Sequence, residues 1–118
     1  MNKEKVVSQF KDLSKLSDVT AQDFIINRAI ISVATMLLPS VDNLENQDTL
    51  AFLCGAKAFY DYILIENATG LDNVKVSQVS FSLDKKSRLT FANEILINAI
   101  LLNKSLLIDN DFYFANIK

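Results

Sequence analysis

The chain has no histidine and no tryptophan, and only one cysteine, one proline and two glycines among its 118 residues. Without histidine there is no Ser–His or Cys–His nucleophile and no imidazole ligand for a metal. With only Gly55 and Gly70, a phosphate-cradling glycine loop cannot be assembled. A single cysteine excludes an intrachain disulfide, so nothing implies an oxidising compartment. Cys54 lies among Leu53, Gly55 and Ala56, where a small buried apolar residue fits. A reactive thiol is the alternative reading, but no histidine is at hand to activate it.

Charge of one sign is also in short supply. Twelve basic residues face 14 acidic ones, for a net charge of −2, which argues against a general nucleic-acid binder. Lys85, Lys86 and Arg88 form a local basic cluster, which reads as the solvated first turn of a helix. Long uninterrupted apolar runs are missing too. The greasiest stretch, 24–38, is broken by Asn27 and Arg28 and is shorter than the ~20 residues of a spanning helix. Residues 1–12 are charged and then amphipathic, unlike a signal peptide. The expectation is a protein outside the membrane, cytoplasmic at synthesis.

What the chain has is apolar surface, at 50% of its residues. Val6, Val7, Phe10 and Leu13 recur at helical spacing and predict a short amphipathic helix over Lys3–Ser14, followed by a polar break. A second helix is predicted from Thr20, where Thr20 and Asp23 resemble a capping box. Its stripe is Ile26, Ile30, Val33 and Leu37, and further apolar residues cover most of its circumference. Such a helix belongs at the centre of a fold. Pro39 ends it.

A third helix is predicted over about 48–67, with Leu50, Leu53, Ala56, Tyr60 and Ile63 or Leu64 towards the core. Gly55 sits mid-helix, where it costs about 1 kcal/mol relative to alanine. Its presence predicts close approach of another backbone, and Gly70 suits a left-handed helix stop. Over 74–83 the period changes to two: Val74 and Val76, then Val79, Phe81 and Leu83, alternate with polar residues. That pattern predicts a short extended or β-hairpin segment, paired internally or with another subunit. A fourth helix is predicted to follow from an Asp84 N-cap to about 103. The whole chain, 1–118, is expected to be one mainly α domain, four-helix bundle-like with that extended segment.

Other chemistry is thin. Asp109 and Asp111 resemble the start of a calcium loop, but its sixth position is Phe114 and the chain has no twelfth. Lys57 and Asp61 form an ordinary helical pair. Arg28, inside the greasiest helix, reads as a structural cation bonded to a carboxylate or to loop carbonyls, with a ligand site as the alternative. Phe59, Tyr60 and Tyr62 could stack bases, yet at helical spacing they read as core. No catalytic, cofactor-binding or metal-binding residue is assigned, and the chain is not expected to be an enzyme. What remains is surplus grease. A bundle helix needs about three of every seven positions apolar, and the second and fourth helices exceed that. The excess points to self-association.

Three pieces of the chain carry a resemblance. They are the run Thr49-Leu50-Ala51-Phe52-Leu53-Cys54-Gly55-Ala56-Lys57-Ala58-Phe59-Tyr60-Asp61-Tyr62, the segment 74–83 with its serines, and Leu107-Ile108-Asp109-Asn110-Asp111-Phe112-Tyr113-Phe114. In that order they resemble a family of small head–tail connector proteins of tailed phages and prophages. The chain departs from the family pattern where relatives often carry glycine, in the 74–83 segment and in the final turn. The resemblance implies a helical adaptor whose copies form a ring beneath the portal, located in the virion and touching portal or tail components. Its partners would be copies of itself and these virion proteins, with no sequence-specific nucleic acid and no cofactor. A near-neutral or acidic lumen would let DNA pass without gripping it. The rival expectation is a non-viral helical interaction module, or a pocket for an apolar ligand lined by Phe52, Phe59 and Phe91.

Overall fold

A computed structural model describes residues 2–39, 46–69 and 78–108. Four α-helices account for most of them: α1 (Lys3–Ser14), α2 (Asp23–Met36), α3 (Gln47–Thr69) and α4 (Gln78–Leu102). Two 3-10 turns, Thr20–Gln22 and Lys104–Leu106, complete the described elements.

α1 forms where its period predicts, and both ends are satisfied locally. The Asn2 side chain accepts from the Lys5 amide at 3.3 Å. At the other end Lys15 adopts a left-handed conformation and its amide donates to the Lys11 carbonyl at 2.8 Å. Val6 and Phe10, one turn apart, are wholly buried.

The entry to α2 differs from expectation. Asp18, rather than Asp23, partners Thr20: its carboxylate accepts from the Thr20 amide at 3.0 Å and from the hydroxyl at 2.7 Å. A hydroxyl donating backwards to a carboxylate supports a tight local turn, and α2 begins only at Asp23, with no side-chain cap. At its far end α2 stops at Met36, and Leu37 is extended. The freed groups are claimed by an antiparallel ladder: the Leu38 amide donates to the Leu106 carbonyl (2.9 Å), and the Ile108 amide to the Met36 carbonyl (2.7 Å).

The helix predicted to be central is not the central one. Among the described residues α3 packs against α1, α2 and α4, whereas α4 packs substantially on α3 alone. From Leu50 to Ile63, α3 buries residues around its whole circumference, including Leu50, Leu53, Cys54, Ala56, Ala58 and Ile63. The reason is size. Small residues at Cys54, Gly55, Ala56 and Ala58 let several helices approach one axis, whereas the bulky Phe24 and Ile31 of α2 stay exposed. One cluster of buried residues nevertheless draws on all four helices.

α4 starts six residues before the predicted Asp84 cap. The second half of the expected strand, 78–83, is therefore the helix's opening turns, and 74–77 and Gly70 lie outside the described residues. Among the described residues there is no strand that could pair with an extended 78–83. A helix satisfies its backbone internally, so the alternation of Val79, Phe81 and Leu83 loses to the need for partners. α3 and α4 run antiparallel. Asn103, fully buried at the end of α4, donates its side-chain amide to the carbonyls of Thr49 (3.1 Å) and Ala99 (2.9 Å). Near the opposite end, Arg88 of α4 meets Glu66 of α3 at 3.2 Å.

The predicted close approach at Gly55 is present. A Cβ on Gly55 would lie 2.6 Å from Cβ of Gln9 and 3.4 Å from the backbone nitrogen of Phe10. Those atoms belong to the α1 stem, so they cannot swing aside without moving the helix. Overpacking of this kind costs about 1–3 kcal/mol, while leaving glycine recovers at most about 1. Gly55→Val is expected to lower the unfolding free energy by about 3 kcal/mol, and Gly55→Ala by about 1, both measured by urea denaturation. A stabilised Gly55→Val protein would show that α1 does not cross there.

Candidate functional site

Between α2 and α3 runs a groove of about 230 Å³, lined by Ile25, Arg28, Lys57, Asp61, Leu64 and Ile65. Its α3 wall is set by the helical repeat: Lys57 and Asp61, four residues apart, form a two-pronged ion pair at 2.8 and 2.9 Å, half-buried at both partners. Asp61 is therefore committed to its own helix. Arg28 on the facing helix is exposed and, among the described residues, makes no ion pair or hydrogen bond. Among the described residues, neither a carboxylate nor a loop carbonyl of the kind expected for it pairs with Arg28.

The second surface is the outer side of α4. Ala92, Leu96, Ala99 and Asn103 form the stripe turned to α3, and all four are buried. On the other side Phe91, Leu101 and Leu102 are 52%, 51% and 67% exposed, interrupted by Glu94 and Asn98. Ile108, past the helix end and bonded to the Met36 carbonyl of α2, is exposed as well.

The remaining sequence candidates are absorbed by packing. Phe59 is buried and meets Phe91 edge to face, with centroids 6.3 Å apart. Phe59 and the half-buried Phe52 line none of the three grooves, whereas Phe91 lines an open one of about 440 Å³ on α4 with Lys86, Ser87, Thr90 and Glu94. Tyr62 packs edge-on against Phe10 at 5.6 Å and donates to Glu66 at 3.0 Å. Burial, reinforced by that carboxylate, pushes its phenol above the usual range. Tyr60 is half-buried against the core, so the three rings present no open stacking platform. Of the basic cluster, Arg88 is neutralised by Glu66 and Lys86 is exposed. Asp109 and Asp111 lie outside the described residues. Among the described residues no three His, Cys, Asp or Glu side chains gather as metal ligands, and no helix is long and apolar enough to cross a membrane. The chain matches no family model, no curated protein and no solved structure.

Sequence reasoning undervalued the outer face of α2. Phe24 and Ile31, seven residues apart with Arg28 between them, already mark that face, but in a helix read as central they look like core. The signal was a cation in register with two bulky apolar residues.

Cys54 lies wholly within the core, and burial pushes its thiol up to about 12. Since this folded value exceeds the unfolded one near 9, the thiol's contribution to stability is complete below pH 9 and is lost as pH rises towards 12. Native protein at pH 8 is expected to react with a thiol-specific disulfide reagent only at its opening rate. Labelling should become fast once urea unfolds the chain. Prompt labelling of the folded protein would show an accessible, activated thiol.

Proposed function

We propose that this protein is a virion-assembly subunit of tailed phages or prophages, of the head–tail connector type, acting through self-association and protein contacts and not through catalysis. The observation that carries the assembly reading is the outer side of α4. Among the described residues this 25-residue helix packs mainly on α3 and turns Phe91, Leu101 and Leu102 to solvent. Apolar area of this kind is expensive to leave wet, and a second chain is the simplest cover. The connector form rests on the resemblance in α3 and in the C-terminal segment. A ring of copies needs lateral apolar contacts, no reactive centre and no strongly basic lumen, and the net charge of −2 is compatible with that. In this reading the protein is made in the cytoplasm and ends in the virion, against portal or tail components.

Burying one leucine contributes about 1.5–3 kcal/mol, or roughly ten- to hundredfold in association. Light scattering coupled to size exclusion is expected to give a mass above that of one chain. Leu101→Asp with Leu102→Asp should return it to a single chain with unchanged helical circular dichroism. A wild-type chain that is monomeric at high concentration, and binds neither portal nor tail protein, would overturn the reading.

A further inference from the structure

The outer face of α2 carries Phe24, Arg28 and Ile31 in one line, spaced four and three residues apart. Phe24 and Ile31 are exposed, and the guanidinium between them has no partner among the described residues. The outer face of α4 holds the opposite charge in the same setting. Glu94 lies across the helix from the buried stripe of Ala92, Leu96, Ala99 and Asn103. Phe91 stands one turn before it and Leu101 two turns after it, both half exposed. Glu94 is itself exposed and, among the described residues, has no ion pair or hydrogen bond.

Within one chain these two faces do not meet, because α2 and α4 each pack on α3 and barely touch one another. Between chains they can, and the spacing selects the direction. Arg28 to Ile31 and Glu94 to Phe91 are each three residues, about 4.5 Å along the axis. Antiparallel helices with Arg28 beside Glu94 therefore set Ile31 over Phe91, where the groove of about 440 Å³ hollows the α4 surface. Phe24, about 6 Å the other way, arrives between Asn98 and Leu101, which lie about 6 and 10.5 Å beyond Glu94. Parallel helices would put Ile31 on Asn98 and leave Leu101 wet. Like faces centred on these charges fit worse, since they set Arg28 against Arg28 or Glu94 against Glu94.

We propose that the outer face of α2 in one copy packs antiparallel on the outer face of α4 in the next, with Arg28 beside Glu94, Ile31 over Phe91 and Phe24 beside Leu101. The contact rests on the assembly reading and names the surface that answers the α4 face. Because the two faces differ, each copy gives one and takes the other. Such a contact propagates head to tail, into a ring where the rotation closes and a filament where it does not, and excludes a two-fold dimer.

The test is charge reversal in the full chain, with self-association measured by sedimentation over a concentration series. Arg28→Glu and Glu94→Arg are each expected to weaken association roughly tenfold or more, with helical circular dichroism unchanged because both side chains are exposed. The double variant carries the pair reversed and should return to within about threefold of the parent. Single variants that associate like the parent, or a double variant no tighter than either single one, would overturn the pairing while leaving assembly standing. A parent chain that stays monomeric would overturn both. Cross-linking supplies an independent readout, with buried Cys54 retained. Chains carrying Arg28→Cys and chains carrying Glu94→Cys should be joined by a short bismaleimide when mixed, and stay unjoined when kept apart. Dimers formed from Glu94→Cys chains alone would place two α4 faces together and refute the proposal.

Discussion

The crossing of α1 over α3 at Gly55 is the contact on which the rest of the arrangement depends. Two helices can approach this closely only where one of them has no side chain, and the space a methyl group would need is taken by Gln9 and Phe10. α1 has 12 residues, too few to be stable as an isolated helix. Its structure is drawn from this contact, with Val6 and Phe10 sealed against the core and Phe10 against Tyr62. The neighbouring small residues of α3 extend the same effect round the helix, which is how one axis accepts three partners.

A hub of this kind has a consequence for the surface. Because α3 is covered all round from Leu50 to Ile63, the other helices meet it with one face each and meet each other little. α2 and α4 therefore keep outer faces that no described element covers, and both faces hold large apolar side chains. The proposed assembly is one answer to that geometric fact, because it would remove exposed hydrocarbon from water.

The polar groups fit the same picture. Asn103 ties the start of α3 to the end of α4, Lys57 is held by Asp61, and the line Tyr62–Glu66–Arg88 links α3 to α4 near the other end. These bonds serve packing and register. Arg28 stands apart. It sits between the exposed Phe24 and Ile31, and among the described residues it has no ion pair or hydrogen bond.

Much of the fold was legible from residues alone. The helical period of Val6, Val7, Phe10 and Leu13 placed α1, Pro39 closed α2, and a mid-helix glycine announced a close crossing. The strand reading of 78–83 failed because alternation reports only which residues could share a sheet face, not whether a neighbouring strand exists. The capping reading at Thr20 failed because the hydroxyl donates to Asp18, while Asp23 is held by Lys3 and Asn27.

The sequence by itself determined that the protein is mainly helical, free of histidine and half apolar. Those properties follow from composition and period, which depend on near neighbours along the chain. Only the tertiary structure decided that α3 and not α2 is central, and which apolar faces remain outside. Hydropathy counts hydrocarbon, whereas burial depends on how closely other helices can approach, and that is set by the size of the residues facing them.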